Sequence, residues 1–409
     1  MNSIYLDNIV IVKNRIKYNY TIKGEWQKYF NSEEMLWVEY SENVTRIPDS
    51  IAVIPLLTNL LPIIWLCDAT IYIDEIDETF YESIQNIKNG YMNMFPMLNF
   101  KGNIMANKYI KNKDSLKKNT LTNSAVFFSG GVDAFSTLLS HINENPTLIT
   151  VWGADVFFDD RKGWNKVKNH VCDVSNEYGI KKLFIKSNFR YFINEKELNT
   201  LVQDSGDGWW HGFQCGIGLV GHAAPYAFKE NLYKVYIASS YTSEYKGTTA
   251  SVPSTDGNVK FAFHSVYHDQ YEIDRQEKIK NIVDYSQKNE KPISLRVCWK
   301  SIGGTNCCNC EKCYRTIMGL IAEKANPNNF GFLYTSETQE NMISDLKKII
   351  IIDKVTTLPF WEDIQNRFVE NNIVNKDFDW FIEKDLKLFN YSFSKIIKRG
   401  IMKIKRTLK

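Results

Sequence analysis

The sequence has little net charge: 50 Lys and Arg against 47 Asp and Glu leave +3 over 409 residues. That argues against wholesale coating of nucleic acid, while allowing a local basic patch. It also has no apolar run suited to crossing a bilayer. The longest uncharged apolar stretch, 51–67, contains Pro55, Thr58, Asn59 and Pro62. A spanning helix needs about 20 mostly apolar residues, so a buried core segment is expected there. Residues 1–20 alternate apolar and polar side chains and do not form the continuous apolar core of a signal peptide. There is no internal repeat and no low-complexity segment. With 44% hydrophobic and 24% charged residues, a disordered, collagen-like or fibrous chain is excluded. The length fits two or three domains, or one core with extensions.

Cysteine is neither absent nor evenly spread. There are eight: Cys67, Cys172 and Cys215 stand alone, while Cys298, Cys307, Cys308, Cys310 and Cys313 fall within sixteen residues. Small secreted scaffolds are short and evenly cross-linked, so this pattern predicts a reducing, cytoplasmic setting and a local metal site. Cys298, Cys307, Cys310 and Cys313 read C-x8-C-x2-C-x2-C. Zinc takes four tetrahedral ligands, with thiolates at about 2.3 Å. Two overlapping C-x2-C steps supply three thiolates and Cys298 folds back as the fourth, which closes the shell as in a structural site. Cys308 is the spare. An iron–sulfur cluster also takes four cysteines.

Residues 1–50 carry short β-branched and aromatic runs, IYLDNIVIV and IKYNYTI, which predict strands. Residues 101–123 are polar and lysine-rich, a candidate linker. An N-terminal α+β extension over 1–120 is therefore expected. From residue 124 strands alternate with helical stretches: strands at 124–128, 148–152, 182–185 and 233–238, helices at 133–142 and 162–178. Such alternation predicts an α/β core over 121–330, a parallel sheet with helices on both faces. Open parallel sheets bind ligands outside the carboxyl ends of their strands, so Ser129, Trp152 and Ser239 with Ser240 converge on one predicted site. A helical region over 331–409 follows. Its last stretch, 395–409, has seven Lys or Arg and no acid; it reads as a basic amphipathic helix for membrane or nucleic acid, or as a solvated tail.

Ser129-Gly130-Gly131-Val132-Asp133 follows an apolar strand and opens a helix. Glycines let backbone N–H groups approach a phosphate, and the helix N-terminus adds partial positive charge. The Ser129 hydroxyl can donate to a phosphate oxygen. Asp133 is repelled by bare phosphate and fits better as a ligand of Mg²⁺ bridging phosphates. A Walker A loop, GxxxxGK[ST], and a dinucleotide fingerprint are both missing here.

The stretch SAVFFSGGVDAFSTLL resembles the SGGxDS loop of the PP-loop (N-type) ATP pyrophosphatases. The resemblance implies a nucleotide-binding α/β fold and cleavage of ATP to AMP and pyrophosphate, with an adenylated intermediate. It implies ATP and Mg²⁺ on Ser129, Gly130, Gly131, Val132, Asp133 and Ala134. The family's final serine is Ala134 here, so one hydroxyl contact is lost; Ser136 is a partial substitute. WKSIGGTNCCNCEKCYRT is similar to the zinc knuckle of 7-cyano-7-deazaguanine synthase-like members, which places the knuckle at 298–313 after the ATP core. The resemblance covers roughly 124–325, and the N-terminal extension is foreign to it.

The expected reaction is therefore that of an amidating ligase. A carboxyl or carbonyl oxygen of a small-molecule or macromolecular acceptor is adenylated, and a nitrogen nucleophile displaces AMP. Arg275 and Lys278 are candidates to neutralise charge on the pyrophosphate or adenylate. Two alternatives stand beside this: a non-catalytic nucleotide- or RNA-binding module with a structural zinc knuckle, and a tRNA-thiolating PP-loop enzyme. Homo-oligomerisation is compatible with all three. His264 and His268 share a helix face if helical and are read as surface or substrate-contact groups. Asp155, Asp159 and Asp160 follow the second strand of the core and can hold Mg²⁺ or a ribose. Residues 203–224 read as a glycine-rich loop and a tightly packed small-residue helix, or as a lid bearing Trp209, Trp210 and His211.

Overall fold

The computed structural model of the chain describes residues 2–112, 123–298, 304–349 and 357–386. Two compact units emerge. The first comprises Met1–Thr242, Thr248–Glu272 and Ile302–Gly304; the second comprises Ser243–Gly247, Ile273–Ser301 and Thr305–Lys409.

The first unit is α/β, built on one eleven-stranded sheet. Its strands are β1 (Ser3–Val12), β2 (Arg15–Lys23), β3 (Trp37–Tyr40), β4 (Thr70–Asp77), β5 (Asn103–Ile110), β6 (Ser124–Phe127), β7 (Thr147–Trp152), β8 (Lys182–Ser187), β9 (Lys234–Ala238), β10 (Lys260–Phe261) and β11 (His264–Asp269). Their order is β10-β11-β9-β6-β7-β8-β3-β2-β1-β4-β5. The stretch β11-β9-β6-β7-β8 is wholly parallel. β6 is buried at every position and β7 at all but its last, as expected for parallel strands covered on both faces. β8 alternates half-buried and buried residues, and β2 shows one buried and one open face.

Residues 1–112 do not form a body apart. β3 pairs antiparallel with β8 through Val38–Ser187, Glu39–Lys186 and Tyr40–Ile185, and so continues the core sheet into β2, β1, β4 and β5. The division expected near residue 120 therefore falls inside one compact unit, because strand hydrogen bonds saturate the edge of β8. Residues 113–122, the centre of the expected linker, lie outside the described residues, as does the basic stretch 395–409.

The apolar stretch expected to be core is core: Ile54–Leu66 is a helix buried from Ile54 to Trp65, with Pro62 inside it. Its polar side chains are satisfied locally. Thr58 Oγ1 donates to the Ile54 carbonyl at 3.0 Å, and Asn59 Nδ2 donates to the carbonyls of Pro55 at 2.9 Å and Gly218 at 3.1 Å. The small residues of 216–224 permit this contact. A Cβ at Gly221 would fall 2.0 Å from Thr58 Oγ1. No helix among the described residues is long and apolar enough to cross a membrane.

The second unit is helical among its described residues, with helices Arg275–Lys288, Glu311–Ala322, Ser336–Ile349, Leu358–Glu370 and Asp379–Ile382. Arg367, on Leu358–Glu370, ties that helix to the first two, binding Glu277 at 2.9 Å and Glu323 at 3.0 Å. Trp361 and Phe368 pack on Phe381.

The turn after β7 is a backbone constraint with a measurable cost. Gly153 has φ +105°, and a Cβ there would lie 2.1 Å from the Ser187 carbonyl oxygen. Gly153→Ala should destabilise the chain by about 2 kcal/mol or more, read as a lower urea midpoint.

Candidate functional site

The order β8-β7-β6-β9-β11 means that the chain builds outward from β6 in one direction and then returns to its other side. Strand order reverses between β6 and β9, and in open α/β sheets the crevice at such a reversal is where ligands bind. The β6–β9 register, Ser124 with Lys234 and Val126 with Tyr236, places Ser129 level with Ser239 when carried forward. On the other side β7 ends at Trp152. The first unit thus brings Ser129, Gly130, Gly131, Val132, Asp133, Ala134, Trp152, Ser239 and Ser240 to one edge of the sheet.

The loop is anchored below by Phe128, whose N–H donates to the Ile149 carbonyl at 2.8 Å and whose carbonyl accepts from Thr150 Oγ1 at 2.7 Å. Gly130 takes φ +81°, a conformation that glycine adopts without penalty. Gly131 then caps the helix Val132–Ser140, with Asp133 in its first turn. Phe135 is the first residue whose N–H closes on the loop, donating to Gly131 at 2.9 Å. The N–H groups of Val132, Asp133 and Ala134 belong to the turn that has no intrahelical acceptors. Ser129 is exposed and Asp133 half-buried. Ser136 is different: its hydroxyl is enclosed in protein. The Ser239 hydroxyl is turned to the Tyr241 carbonyl, and Ser240 is the exposed member of the pair. Trp152 stacks on Trp164 at 5.1 Å and has the Lys186 ammonium 4.6 Å from its ring centre.

Several expectations change. Arg275 and Lys278 lie in the second unit. Both are buried in the helix Arg275–Lys288, Lys278 to 1% exposure. Asp160 is a helix cap, accepting from Gly163 N–H at 2.8 Å. His264 and His268 lie on β11, not on a helix. His264 is sandwiched by Phe261 and Tyr233, and His268 bonds Asp256 at 2.9 Å, so both are interior groups. The 203–224 segment is packed rather than lid-like: Trp209 is fully buried and stacks on Phe213 at 5.6 Å.

The cysteine cluster is assembled in the second unit. The Sγ atoms of Cys298, Cys307, Cys310 and Cys313 all lie within 4.8 Å of one another. Individual separations are 3.3 Å for Cys298–Cys307, 3.8 Å for Cys298–Cys310 and 3.9 Å for Cys307–Cys313. A tetrahedron of thiolates about 2.3 Å from zinc has edges of about 3.8 Å, so the four residues can hold a zinc ion. Hydrogen bonding from Cys313 pulls the Cys310 thiol down to about 5, while burial raises Cys307 to about 11. Cys308 takes φ +50° and turns its sulfur toward the Asn306 carbonyl at 3.8 Å, out of the shell. Sequence reasoning missed Asn306. Its Oδ1 accepts from the N–H of Val297 at 2.9 Å and its Nδ2 donates to Leu295 and Gly331 carbonyls, which ties the segment that carries Cys298 to the knuckle.

No protein-family model matches the chain, and no curated protein sequence matches it.

Elemental analysis of the purified protein should find about one zinc per chain. Cys310→Ser should bring that to near zero, whereas Cys308→Ser should leave it unchanged; iron in place of zinc would refute the assignment.

Proposed function

We propose that the chain is an ATP pyrophosphatase-type ligase. It adenylates a carboxyl or carbonyl oxygen of an acceptor and passes the activated group to a nitrogen nucleophile, releasing AMP and pyrophosphate. The observation that carries this is the position of the SGG-x-D loop, at the carboxyl end of β6 and at the reversal of strand order beside β9. ATP phosphates would lie on Ser129, Gly130, Gly131, Val132 and the backbone of Ala134. Asp133 would hold Mg²⁺, which would bridge the phosphates. The adenosine end would extend toward the ends of β7 and β9. Zinc at Cys298, Cys307, Cys310 and Cys313 would be structural, because four protein ligands leave no open position for chemistry.

Two of the isolated thiols, Cys215 and Cys67, support amidation over sulfur transfer. Burial pushes Cys215 up to about 12, with the charges of Asp256 and Asp155 adding to it, and burial raises Cys67 to about 12. Neither is a thiolate at neutral pH, and the thiolate is the nucleophile.

ATP–pyrophosphate exchange over a panel of carboxylates tests the reaction. Magnesium-dependent exchange is expected, and Asp133→Asn should reduce it by about 100-fold with an unchanged melting temperature. Tight ATP binding with no exchange on any carboxylate would leave a nucleotide-binding module in place of the enzyme.

A further inference from the structure

The segment between β8 and β9 carries an acid–base arrangement at the same edge of the sheet. Asp207 and His211 are joined through Nδ1, at 2.9 Å to Oδ2 and 3.1 Å to Oδ1. The Asp207 carboxylate also accepts from Thr248 Oγ1 at 2.8 Å and from the Gly208 N–H at 2.7 Å. Burial acts to raise its pKa, but the hydrogen bonds from His211 and Thr248 outweigh that and hold it below the usual carboxylate range. A carboxylate on Nδ1 fixes the imidazole's orientation and tautomer and leaves Nε2 as the working nitrogen. The His211 side chain is 42% exposed.

The backbone here is unusual as well. Residues Trp210–Gln214 form a single π-helical turn, closed by Cys215 N–H to the Trp210 carbonyl at 2.9 Å. Such turns are rare and recur at functional sites. A Cβ at Gly212 would meet Asp207 Oδ2 at 3.1 Å, so the glycine makes room for the carboxylate under the turn. Neighbouring contacts fix the location. The His211 ring meets the Tyr241 ring edge-on at 6.4 Å, and Tyr241 is two residues past Ser239. Trp210 lies under the Arg190 guanidinium at 4.2 Å, and Arg190 Nη1 donates to the Ala154 carbonyl at 3.1 Å, just past the end of β7. The pair therefore sits among the loops that leave β7, β8 and β9 at their carboxyl ends, while Ser129 occupies the end of β6.

We infer that His211, positioned by Asp207, is the general base that deprotonates the nitrogen nucleophile in this site. The inference rests on the adenylation chemistry proposed above. The nucleophile's lone pair forms the C–N bond, and the bond from that carbon to the AMP oxygen breaks with its electron pair leaving on AMP. The proton lost by the nitrogen passes to His211 Nε2 and then to water. No oxidant or further reactant is needed. Asp207 acts through His211 and is a positioning residue.

Two measurements on the full chain test this. In diethyl pyrocarbonate labelling read by mass spectrometry, His211 should label readily and be protected about fivefold or more by saturating Mg-ATP. Equal labelling of His211 with ATP bound would overturn its placement. In turnover with the carboxylate panel and ammonium chloride, His211→Ala should lower kcat for AMP release by about 100-fold with the KM for ATP changed less than about threefold, and added imidazole should restore part of the rate. Asp207→Asn should show the same kcat-against-KM split. Wild-type chain that releases no AMP or pyrophosphate would overturn the adenylation chemistry, and this role with it. Wild-type turnover matched by His211→Ala would overturn the general base alone.

Discussion

The candidate nucleotide edge depends on β6 being hydrogen-bonded on both sides, to β7 and to β9. A central parallel strand has no solvated face, so its side chains are mostly apolar and its connections must leave from the ends. That constraint lifts the 129–133 loop out of the sheet and fixes where the following helix begins. Phe128 is locked to β7 by its own backbone and by Thr150, which sets the height of Ser129. The reversal of strand order beside β6 then opens a crevice without cutting into the core.

The rest of the first unit stiffens that edge. β3 closes the open side of β8, and the buried helix Ile54–Leu66 packs within hydrogen-bonding distance of the 216–221 turn. Immediately before that turn the chain makes its π-helical step, and there the Asp207–His211 pair is exposed to solvent on one side and braced by Thr248 on the other. The sequence 203–215 is thus spent on rigid packing, through Trp209 on Phe213 and Trp210 under Arg190. General acid–base chemistry needs a fixed imidazole more than a mobile one. The second unit meets a different constraint. Four thiolates must converge from two segments, and Asn306, the neighbour of Cys307, bonds back to the segment that carries Cys298.

Local patterns were legible wherever the physics was local. The continuous apolar run of β6, the glycines after it and the apolar helix that follows are all set by near neighbours. The C-x2-C steps specify three ligands within one turn, and Cys298 needs only a short return. The join of β8 to β3 was not legible, because strand pairing across about 145 residues of chain leaves no local mark. The burial of Lys278 was hidden for the same reason, since a cation on a helix looks the same in sequence whether it faces water or other helices. The spacing of His264 and His268 fits both a helix face and a strand face, and only the sheet decided for strand.

The sequence by itself determined a glycine loop between a buried strand and a helix, and a four-cysteine shell with one cysteine spare. Both follow from residue type and spacing within a few turns of chain. Tertiary structure decided that the N-terminal strands and the α/β core share one sheet, that Ser136 is enclosed, and that Thr248 meets the local Asp207–His211 pair near the strand ends. Those outcomes depend on contacts between residues far apart in the chain, and the free energy that selects them comes from burying surfaces no single segment carries.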